Sequence, residues 1–328
     1  MGTRRFTLEP PAPFRLDLTA WALRRRPHNQ VDSWDGETWR RSLPTREGTV
    51  GLAVTQEGST GGPRLVVRVT RSRAAPDESV LEGARRVVTR VLGLEADLGG
   101  FYDLARGDRR LDDLAQRFLG VRPPRFPSVF ETLVNAVACQ QLSLTVGIHL
   151  LNRLATQLDP AGETTPALPT PERLAGADPH ELRALGFSGA KARTLVTLGQ
   201  RVSSGEVDLE ALGSLDGRTA RDVLVGLPGI GRWSAEYTLL RGLGRLDVLP
   251  GDDVGAQNNL RRRFGLGPDD GYDAVLALSR AWWPYGGLVY LHLLLDHLAE
   301  EGCVEPSSSH EQEKPAPVPG PPRRHGAT

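Results

Sequence analysis

The chain has 328 residues, 39% of them hydrophobic, which is enough for a buried core and for more than one domain. Forty basic residues balance forty acidic ones, which argues against a surface covered in positive potential but allows a localised basic face. Because no run of about eighteen apolar residues occurs and no apolar run follows the first arginines, we expect neither a membrane span nor a signal peptide, and a cytoplasmic protein. Cys139 and Cys303 are too few for a disulfide framework or a four-cysteine metal site.

Residues 1–98 have the pattern of a sheet with one helix. The segments SWDGETWRRSL, TVGLAVTQEG and PRLVVRVTRS alternate polar and apolar residues, and the EGSTGG stretch between the last two predicts a β-hairpin. The segment DESVLEGARRVVTRVLGL starts with acidic residues and has apolar residues at helical spacing. We therefore expect a helix that packs on the sheet.

Residues 99–304 have the pattern of an all-helical domain, because apolar residues recur at helical spacing between Gly and Pro interruptions. The helical segments are FPSVFETLVNAVACQQLSLTVGIHLLNRLATQL, DPHELRALG, KARTLVTLGQRV, TARDVLVGL, GRWSAEYTLLRGL and YGGLVYLHLLLDHLAE. Residues 305–328 contain few apolar side chains and are predicted to be a disordered tail. The predicted fold class is therefore α+β.

A glycine-rich turn, LPGIG, joins two of these helices at residues 227–231. Pro228 ends the first helix, whereas Gly229 and Gly231 allow backbone angles and close contacts that a Cβ would prevent. The next helix begins near Arg232, and its free N–H groups would form an anion site suited to a DNA phosphate. An ordinary corner between two helices explains the same five residues equally well.

The helix after this turn carries Trp233 and Tyr237, which are four residues apart and therefore share one face. Two aromatic residues on one face are more often part of a core. Near a helix end that faces DNA, however, stacked rings also suit the wall of a cavity for an extruded base.

Two adjacent aspartates, Asp252 and Asp253, precede another predicted helix at Val254. Aspartate at a helix start is an ordinary cap. In a doublet, one carboxylate can cap while its neighbour stays free, and the helix dipole favours the ionised form of the free one. Such a carboxylate suits the stabilisation of the oxocarbenium-like sugar that forms when a base leaves deoxyribose.

Together, the LPGIG turn, the Trp233 to Tyr237 spacing and the Pro-Gly-Asp-Asp element resemble the helix-hairpin-helix DNA glycosylase superfamily, most closely the DNA-3-methyladenine glycosylase II family. The segments PPAPFRLDLTAW, FETLVNAVACQQLS, TPERLAGADPHELRALGF and AWWPYGGLVYLHLL are similar to segments of that family, so the resemblance covers nearly all of the chain except the tail. It implies an N-terminal antiparallel sheet domain like the TATA-box-binding protein, followed by an all-α, two-lobed glycosylase core with the active site between its lobes.

The resemblance also implies roles for particular residues. Asp253 matches the catalytic aspartate, which leaves Asp252 to cap or support. The residues that match the base pocket are Trp233, Tyr237, Gln140 and Trp21. The residues that match DNA contacts are Pro228, Gly229, Ile230, Gly231 and Gln141. The backbone carbonyls of Val225, Leu227 and Ile230 match those that hold a structural Na⁺ or K⁺ in relatives, and no other cofactor is expected.

The sequence departs from the family pattern at three positions. Gln141 stands where the best-known members insert an aliphatic wedge into DNA, and Val254 and Leu294 stand where some members have further aromatic residues. The way in which the gap in the duplex is filled, and the range of lesions, are therefore left open.

The scarcity of lysine indicates an enzyme without lyase activity. Members that also cut the DNA backbone form a Schiff base through a lysine at the position of Trp233. The chain has only Lys191, which is predicted at a DNA-facing or solvated turn, and Lys314 in the tail. Water, rather than an amine, is then expected to add to the sugar.

The function implied is that of a monomeric, monofunctional DNA glycosylase in base excision repair, cytoplasmic and associated with the nucleoid. It would flip out and excise alkylated purines such as 3-methyladenine and 7-methylguanine from damaged double-stranded DNA. A cationic base between Trp233 and Tyr237 would gain about 0.5–2 kcal/mol from cation–π contacts. Excision of oxidised or deaminated bases, and non-catalytic binding to damaged DNA, are the alternatives.

Overall fold

The computed structural model describes residues 2–45, 48–71, 75–158 and 165–307. Its first part is a five-stranded antiparallel sheet in the spatial order β1-β5-β4-β3-β2. The strands are β1 (Gly2–Leu8), β2 (Ser33–Trp34), β3 (Thr38–Thr45), β4 (Gly48–Glu57) and β5 (Arg64–Arg71). The predicted hairpin between β4 and β5 is confirmed. The alternation in the sequence did not predict β1, which pairs only with β5, more than fifty residues later in the chain.

Two helices, α1 (Leu16–Arg24) and α2 (Glu78–Val91), accompany the sheet. The side chain of Asp77 caps α2 by accepting the N–H of Val80, as the acidic start of this segment indicated. The alternation in β4 and β5 directs one set of apolar side chains toward α2, and this confirms the expected packing. The buried residues of this core include Val50, Leu52, Val54, Leu65, Val67 and Val69 from the sheet and Leu81, Ala84, Val88 and Val91 from α2.

The part of the chain described after residue 75 contains helices and no strand. The helices are α3 (Gly99–Ala105), α4 (Arg109–Arg117), α5 (Val129–Cys139), α6 (Leu144–Leu158), α7 (Pro171–Ala175), α8 (Pro179–Ala184), α9 (Gly189–Ser203), α10 (Gly217–Val225), α11 (Arg232–Arg241), α12 (Val254–Phe264), α13 (Tyr272–Ser279) and α14 (Gly286–Glu300). Short 3₁₀ turns lie at Glu210–Ser214 and Arg280–Trp282. The α+β class, with a sheet followed by helices, is confirmed.

The helices form two lobes, each with a hydrophobic core. One core is built mainly from α5, α6 and α7 to α11, and the other from α3, α4, α12 and α14. Helix α11 lies where the parts meet, because Trp233 packs against both the first lobe and the sheet core, and Tyr237 belongs to the sheet core. Leu18 and Ala22 of α1 pack in the second lobe. Helix α11 therefore joins the first lobe to the sheet core, and α1 joins the sheet core to the second lobe.

A buried ionic cluster joins the sheet to the first lobe. Arg41 of β3 pairs with Asp32 at 2.6 Å and with Glu131 of α5, and its side chain is 1% exposed. The indole N–H of Trp39 also donates to Asp32. Burial raises the pKa of Glu131, and the charge of Arg41 opposes this rise. The arginine therefore stabilises the ionised form of the buried carboxyl group.

The predicted disordered tail lies mostly outside the described residues. Of its first three residues, Ser307 donates its backbone N–H to the carbonyl of Arg117, and the carbonyl of Glu305 accepts from Arg15. Glu305 and Ser307 are thus hydrogen-bonded to the rest of the protein, and the disorder of the tail stays a prediction. Within the described residues, every helix is too short or too polar to cross a membrane.

Candidate active site

The LPGIG turn is a helix-hairpin-helix between α10 and α11. Gly229 has a φ of +77° and lies so close to α9 that a Cβ would stand 2.1 Å from Oγ1 of Thr194, so the position requires glycine. The N–H of Ile230 donates to the carbonyl of Leu227. No acceptor among the described residues takes the N–H groups of Gly231, Arg232 or Trp233. These amides at a helix start have no protein acceptor among the described residues, and their predicted role as an anion site stays a prediction.

Gln140 is bound to this hairpin. It follows α5, and its side-chain Nε2 donates to the carbonyl of Gly229 at 3.0 Å and to Oγ of Ser234 at 2.7 Å. The predicted pocket residue is therefore tied to the hairpin through its amide nitrogen. Its position beside the start of α11 brings it close to Trp233, the next predicted pocket residue.

Lys191 lies in this region as well, and its prediction at a DNA-facing or solvated turn stays a prediction. Its Nζ donates to the carbonyls of Ala138 and Gln140, at 3.1 and 2.6 Å. The ammonium thereby binds the carbonyl end of α5, where the helix dipole favours a positive charge. Burial lowers the pKa of Lys191. Sequence spacing gave no indication of this contact, because α5 and α9 are distant in the chain.

Asp253 is the best-held side chain of the site. Its Oδ1 accepts the N–H of Ala256 at 2.9 Å and thus caps α12. Its Oδ2 accepts the indole N–H of Trp233 at 3.0 Å and the hydroxyl of Tyr290 at 3.1 Å. The side chain remains partly exposed. Three donors therefore fix a carboxylate where α11, α12 and α14 meet.

The roles of the two adjacent aspartates differ from the prediction. We expected one carboxylate to cap and the other to be free, with Asp252 as the cap or support. Instead, Asp253 caps and also carries the catalytic assignment, because a carboxylate has a second oxygen. Asp252 forms a bidentate ion pair with Arg232, at 2.6 and 2.9 Å.

Tyr290 is a site residue that the sequence analysis missed. Burial, and then the adjacent carboxylate of Asp253, raise its pKa well above the ordinary value. The phenol therefore stays protonated and donates to Asp253. A polar residue within the apolar segment YLHLLLDHL was the only signal in the sequence, and it was equally present at His292, which is buried in the second lobe.

The two predicted pocket aromatics stack on each other. The ring centroids of Trp233 and Tyr237 are 5.3 Å apart with an angle of 20° between the planes. A base therefore does not fit between them, contrary to the expected sandwich. Tyr237 is 3% exposed, and its hydroxyl accepts from Nη1 of Arg25 at 2.9 Å. The guanidinium carbon of Arg241 lies 6.0 Å from its ring centroid.

The remaining predicted contacts lie around this centre. Trp21 is partly buried against the second lobe, and the guanidinium carbon of Arg24 is 4.7 Å from its ring centroid. Gln141 is exposed and has a φ of +53°, so it lies at the tip of a sharp turn. The next residue, Leu142, is 43% exposed. No described contact joins Trp21 to Asp253, and its place in the pocket stays a prediction.

The hairpin carbonyls fit the cation that the family resemblance implies. No backbone N–H among the described residues donates to the carbonyls of Val225 and Ile230, and that of Leu227 accepts only Ile230 N–H. Backbone carbonyl oxygens with free lone pairs suit a hard cation. Within the described residues, no group of three acidic, histidine or cysteine side chains could hold a metal ion.

A fixed carboxylate beside a glycine-rich hairpin, where two helical lobes meet, is typical of helix-hairpin-helix DNA repair proteins. The family model for HhH-GPD superfamily base excision DNA repair proteins matches residues 134–285. DNA-3-methyladenine glycosylase 1 of Schizosaccharomyces pombe (strain 972 / ATCC 24843) is 30% identical over 182 residues, which are 55% of this chain and 76% of the relative. The chain therefore belongs to this superfamily, within its DNA-3-methyladenine glycosylase family.

Two further comparisons define the extent of the similarity. DNA-3-methyladenine glycosylase 2 of Escherichia coli (strain K12) is 32% identical over 179 residues, which are 53% of this chain and 60% of that protein. The chain thus spans less than two thirds of this relative's length. The structure of the 3-methyladenine DNA-glycosylase from Archaeoglobus fulgidus matches with a TM-score of 0.75 and 25% identity, over 88% of this chain and 97% of that one.

Proposed function

We propose that this protein is a monofunctional DNA glycosylase that excises alkylated purines from damaged double-stranded DNA and acts as a monomer. The observation that carries the proposal is the carboxylate of Asp253, which Trp233, Tyr290 and the start of α12 fix beside the free amides of the hairpin. The names of the relatives support the same reaction class.

The hairpin provides the DNA contact in this mechanism. The N–H groups of Gly231, Arg232 and Trp233 would hold a backbone phosphate next to the damaged nucleotide. This contact fixes the register of the protein on the duplex without any lysine. The exposed turn at Gln141 and Leu142 lies at the end of α5, close enough to Gln140 and the hairpin to enter the space that the flipped base leaves.

Asp253 provides the electrostatic stabilisation. As the bond between base and C1′ breaks, the base leaves with the bonding electrons and the sugar becomes a cation. The carboxylate of Asp253 faces this charge and stabilises it electrostatically. A water molecule then adds its oxygen to C1′ and releases a proton. An alkylated purine is already cationic, so its departure needs no dedicated acid.

The absence of lyase activity is part of the proposal. Trp233 occupies the position at which lyase members carry their lysine, and its indole N–H donates to Asp253. The ammonium of Lys191 is engaged by two carbonyls. An amine must be free and neutral to attack the sugar and form a Schiff base. Borohydride treatment during turnover should therefore give no covalent adduct with DNA, and a strong adduct would contradict this part.

A second candidate, excision of uncharged oxidised or deaminated bases, is favoured by Arg25. This arginine is 4% exposed and donates to the hydroxyl of Tyr237. Arg241 lies on the same ring. Two permanent positive charges beside Tyr237 weaken its attraction for a cationic base and favour a base that carries a carbonyl acceptor. If the protein excises alkylated purines despite these charges, its selectivity for them comes from their weaker glycosidic bond.

The test is release of bases from duplex DNA. The protein is incubated with methylated duplex, with an inosine-containing duplex and with undamaged duplex, and the free bases are separated by chromatography. Release of 3-methyladenine or 7-methylguanine supports the first candidate, and release of hypoxanthine alone supports the second. Binding without release of any base would leave a non-catalytic damage binder.

A further inference from the structure

Glu236 and Tyr272 lie behind the loop that carries Asp253, and the mechanism above does not use them. Glu236 is on α11, one turn after Trp233, and is 4% exposed. Its Oε2 accepts the N–H of Gly251 at 3.2 Å, and its Oε1 accepts the hydroxyl of Tyr272 at 2.5 Å. A single carboxyl group thus joins α11, α13 and the residues just before Asp253.

Gly251 is held on every side. Its N–H donates to Glu236, and its carbonyl accepts from Nε2 of Gln257 at 2.8 Å. A Cβ on Gly251 would lie 2.7 Å from Cδ2 of Tyr272, so the backbone lies directly against this ring. One turn of chain then leads to Asp253, whose N–H donates to the carbonyl of Pro250 at 3.1 Å. The backbone of residues 250–253, called here the aspartate loop, therefore has little freedom to shift.

The ring of Tyr272 also contacts Arg232. The guanidinium carbon of Arg232 is 3.6 Å from the ring centroid of Tyr272, and the same guanidinium forms the bidentate pair with Asp252. Tyr272 thus contacts both Arg232 and Gly251. The aspartate loop is bound at two points, at Gly251 through Glu236 and at Asp252 through Arg232.

A carboxyl group at this place is unfavourable for folding by itself. Burial raises the pKa of Glu236, and burial together with the hydrogen bond to Glu236 raises the pKa of Tyr272 to about 12. A buried carboxyl group without a cation in hydrogen-bond contact costs folding free energy that an apolar side chain would not. What Glu236 provides in return is the position of the aspartate loop.

We propose that Glu236, together with Tyr272, is a positioning residue that fixes the aspartate loop so that the carboxylate of Asp253 lies beneath the sugar. Neither side chain contacts Asp253 in the structure, so both act through Gly251. This inference rests on the proposed glycosylase function. A displacement of about 1 Å at a catalytic group can cost about 10²-fold in rate, which sets the size of the expected effect.

The experiment compares Glu236→Ala, Glu236→Gln, Tyr272→Phe and a control, Tyr102→Phe. Tyr102 is a partly buried tyrosine of the second lobe on α3 and has no described contact with Gly251. Single-turnover excision from methylated duplex measures chemistry, and binding to a duplex with a stable abasic-site analogue measures affinity. We expect Glu236→Ala to lower the single-turnover rate about 10²-fold and to leave affinity within about twofold. Tyr272→Phe should lose less, since its ring remains against Gly251.

The conservative variant separates positioning from simple structural damage. Glutamine can accept the N–H of Gly251 and donate to the hydroxyl of Tyr272, so Glu236→Gln should recover at least about tenfold of the rate lost in Glu236→Ala. The Tyr102→Phe rate should equal that of the unmodified protein. Equal losses in Glu236→Gln and Glu236→Ala, or losses of rate and affinity in parallel, would overturn the inference.

Amide hydrogen exchange provides a readout that does not depend on activity. The N–H of Ala256 donates to Oδ1 of Asp253, so its exchange reports the position of this carboxylate. Glu236→Ala should accelerate exchange at Gly251 and Ala256 at least about tenfold, whereas Tyr102→Phe should not. Unchanged exchange would refute the positioning role. A protein that releases no base, yet shows this acceleration, would refute the proposed function and leave the positioning role supported.

Discussion

Two buried clusters of charge in this protein differ in how their arginines are paired. At the joint between the sheet and α5, Arg41 is bound to two carboxylates, those of Asp32 and Glu131. Beside the stacked rings of the site, Arg25 and Arg241 hydrogen-bond only to uncharged groups. The Nε atoms of all three arginines have no hydrogen-bond partner among the described residues, and only at Arg241 does Nη1 lack one too.

We infer from this difference that the paired cluster serves the fold and the unpaired arginines serve the site. Buried charges are normally paired, and an unpaired one costs free energy. Ionisable groups that depart from this pattern collect at functional sites, where the field they create is used. The paired joint should therefore affect stability, and the unpaired arginines should affect the choice of lesion.

The largest effect is expected at the joint. Arg41→Met leaves Asp32 and Glu131 buried without a cation and should lower the free energy of unfolding by about 3–5 kcal/mol, as measured by denaturant unfolding. Arg40→Met is the matched control, because the ion pair of Arg40 with Asp35 is exposed, and it should cost less than about 1 kcal/mol. Similar losses of unfolding free energy in both variants would contradict the stabilising role of the buried cluster.

The next effect concerns the site rather than the fold. Asp253→Asn keeps the oxygen that caps α12 but removes the negative charge, so single-turnover excision should fall about 10²- to 10³-fold. Binding to a duplex with a stable abasic-site analogue should remain within about threefold, since the hairpin is untouched. Retained excision would remove Asp253 from its catalytic role.

His292 is a third buried ionisable group, and its burial disfavours the charged form. Burial lowers its pKa from 6.5 to about 4, so the folded state binds the proton less well than the unfolded state. The neutral imidazole contributes about 3 kcal/mol to the free energy of unfolding above pH 6.5. This contribution is lost as the pH falls toward 4. Unfolding free energies of the unmodified protein and of His292→Leu, measured between pH 7 and 4, should converge by this amount. Parallel profiles would contradict the assignment.

The smallest effect is a change of selectivity. Arg25→Met removes one positive charge beside Tyr237, so the ratio of 7-methylguanine to hypoxanthine excision should rise about tenfold, whereas Arg25→Lys should keep the original ratio. Single-turnover rates on the two duplexes give this ratio, and comparing ratios removes any general loss of active protein. An unchanged ratio in Arg25→Met would show that the base does not sense this charge.

Local sequence determined the helices, the hairpin turn and the cap of α12. Gly229 and the aspartate before Val254 determine the conformation of the few residues around them, because backbone sterics and capping are local effects. The strand β1 was missed because its partner β5 is more than fifty residues away. The family resemblance, more than any pattern within the residues, singled out Asp253 as catalytic.

The residues that surround Asp253 are determined by tertiary packing and could not be predicted from the sequence. The donors to its second oxygen, Trp233 and Tyr290, come from 20 residues before it and 37 after it. The stack of Trp233 on Tyr237 and the contact of Lys191 with α5 also depend on the packing of distant helices. A sequence pattern records the period of a helix and the residues that cap it. It does not record which distant side chain fills a hydrogen-bond position, because that depends on how separate helices pack together.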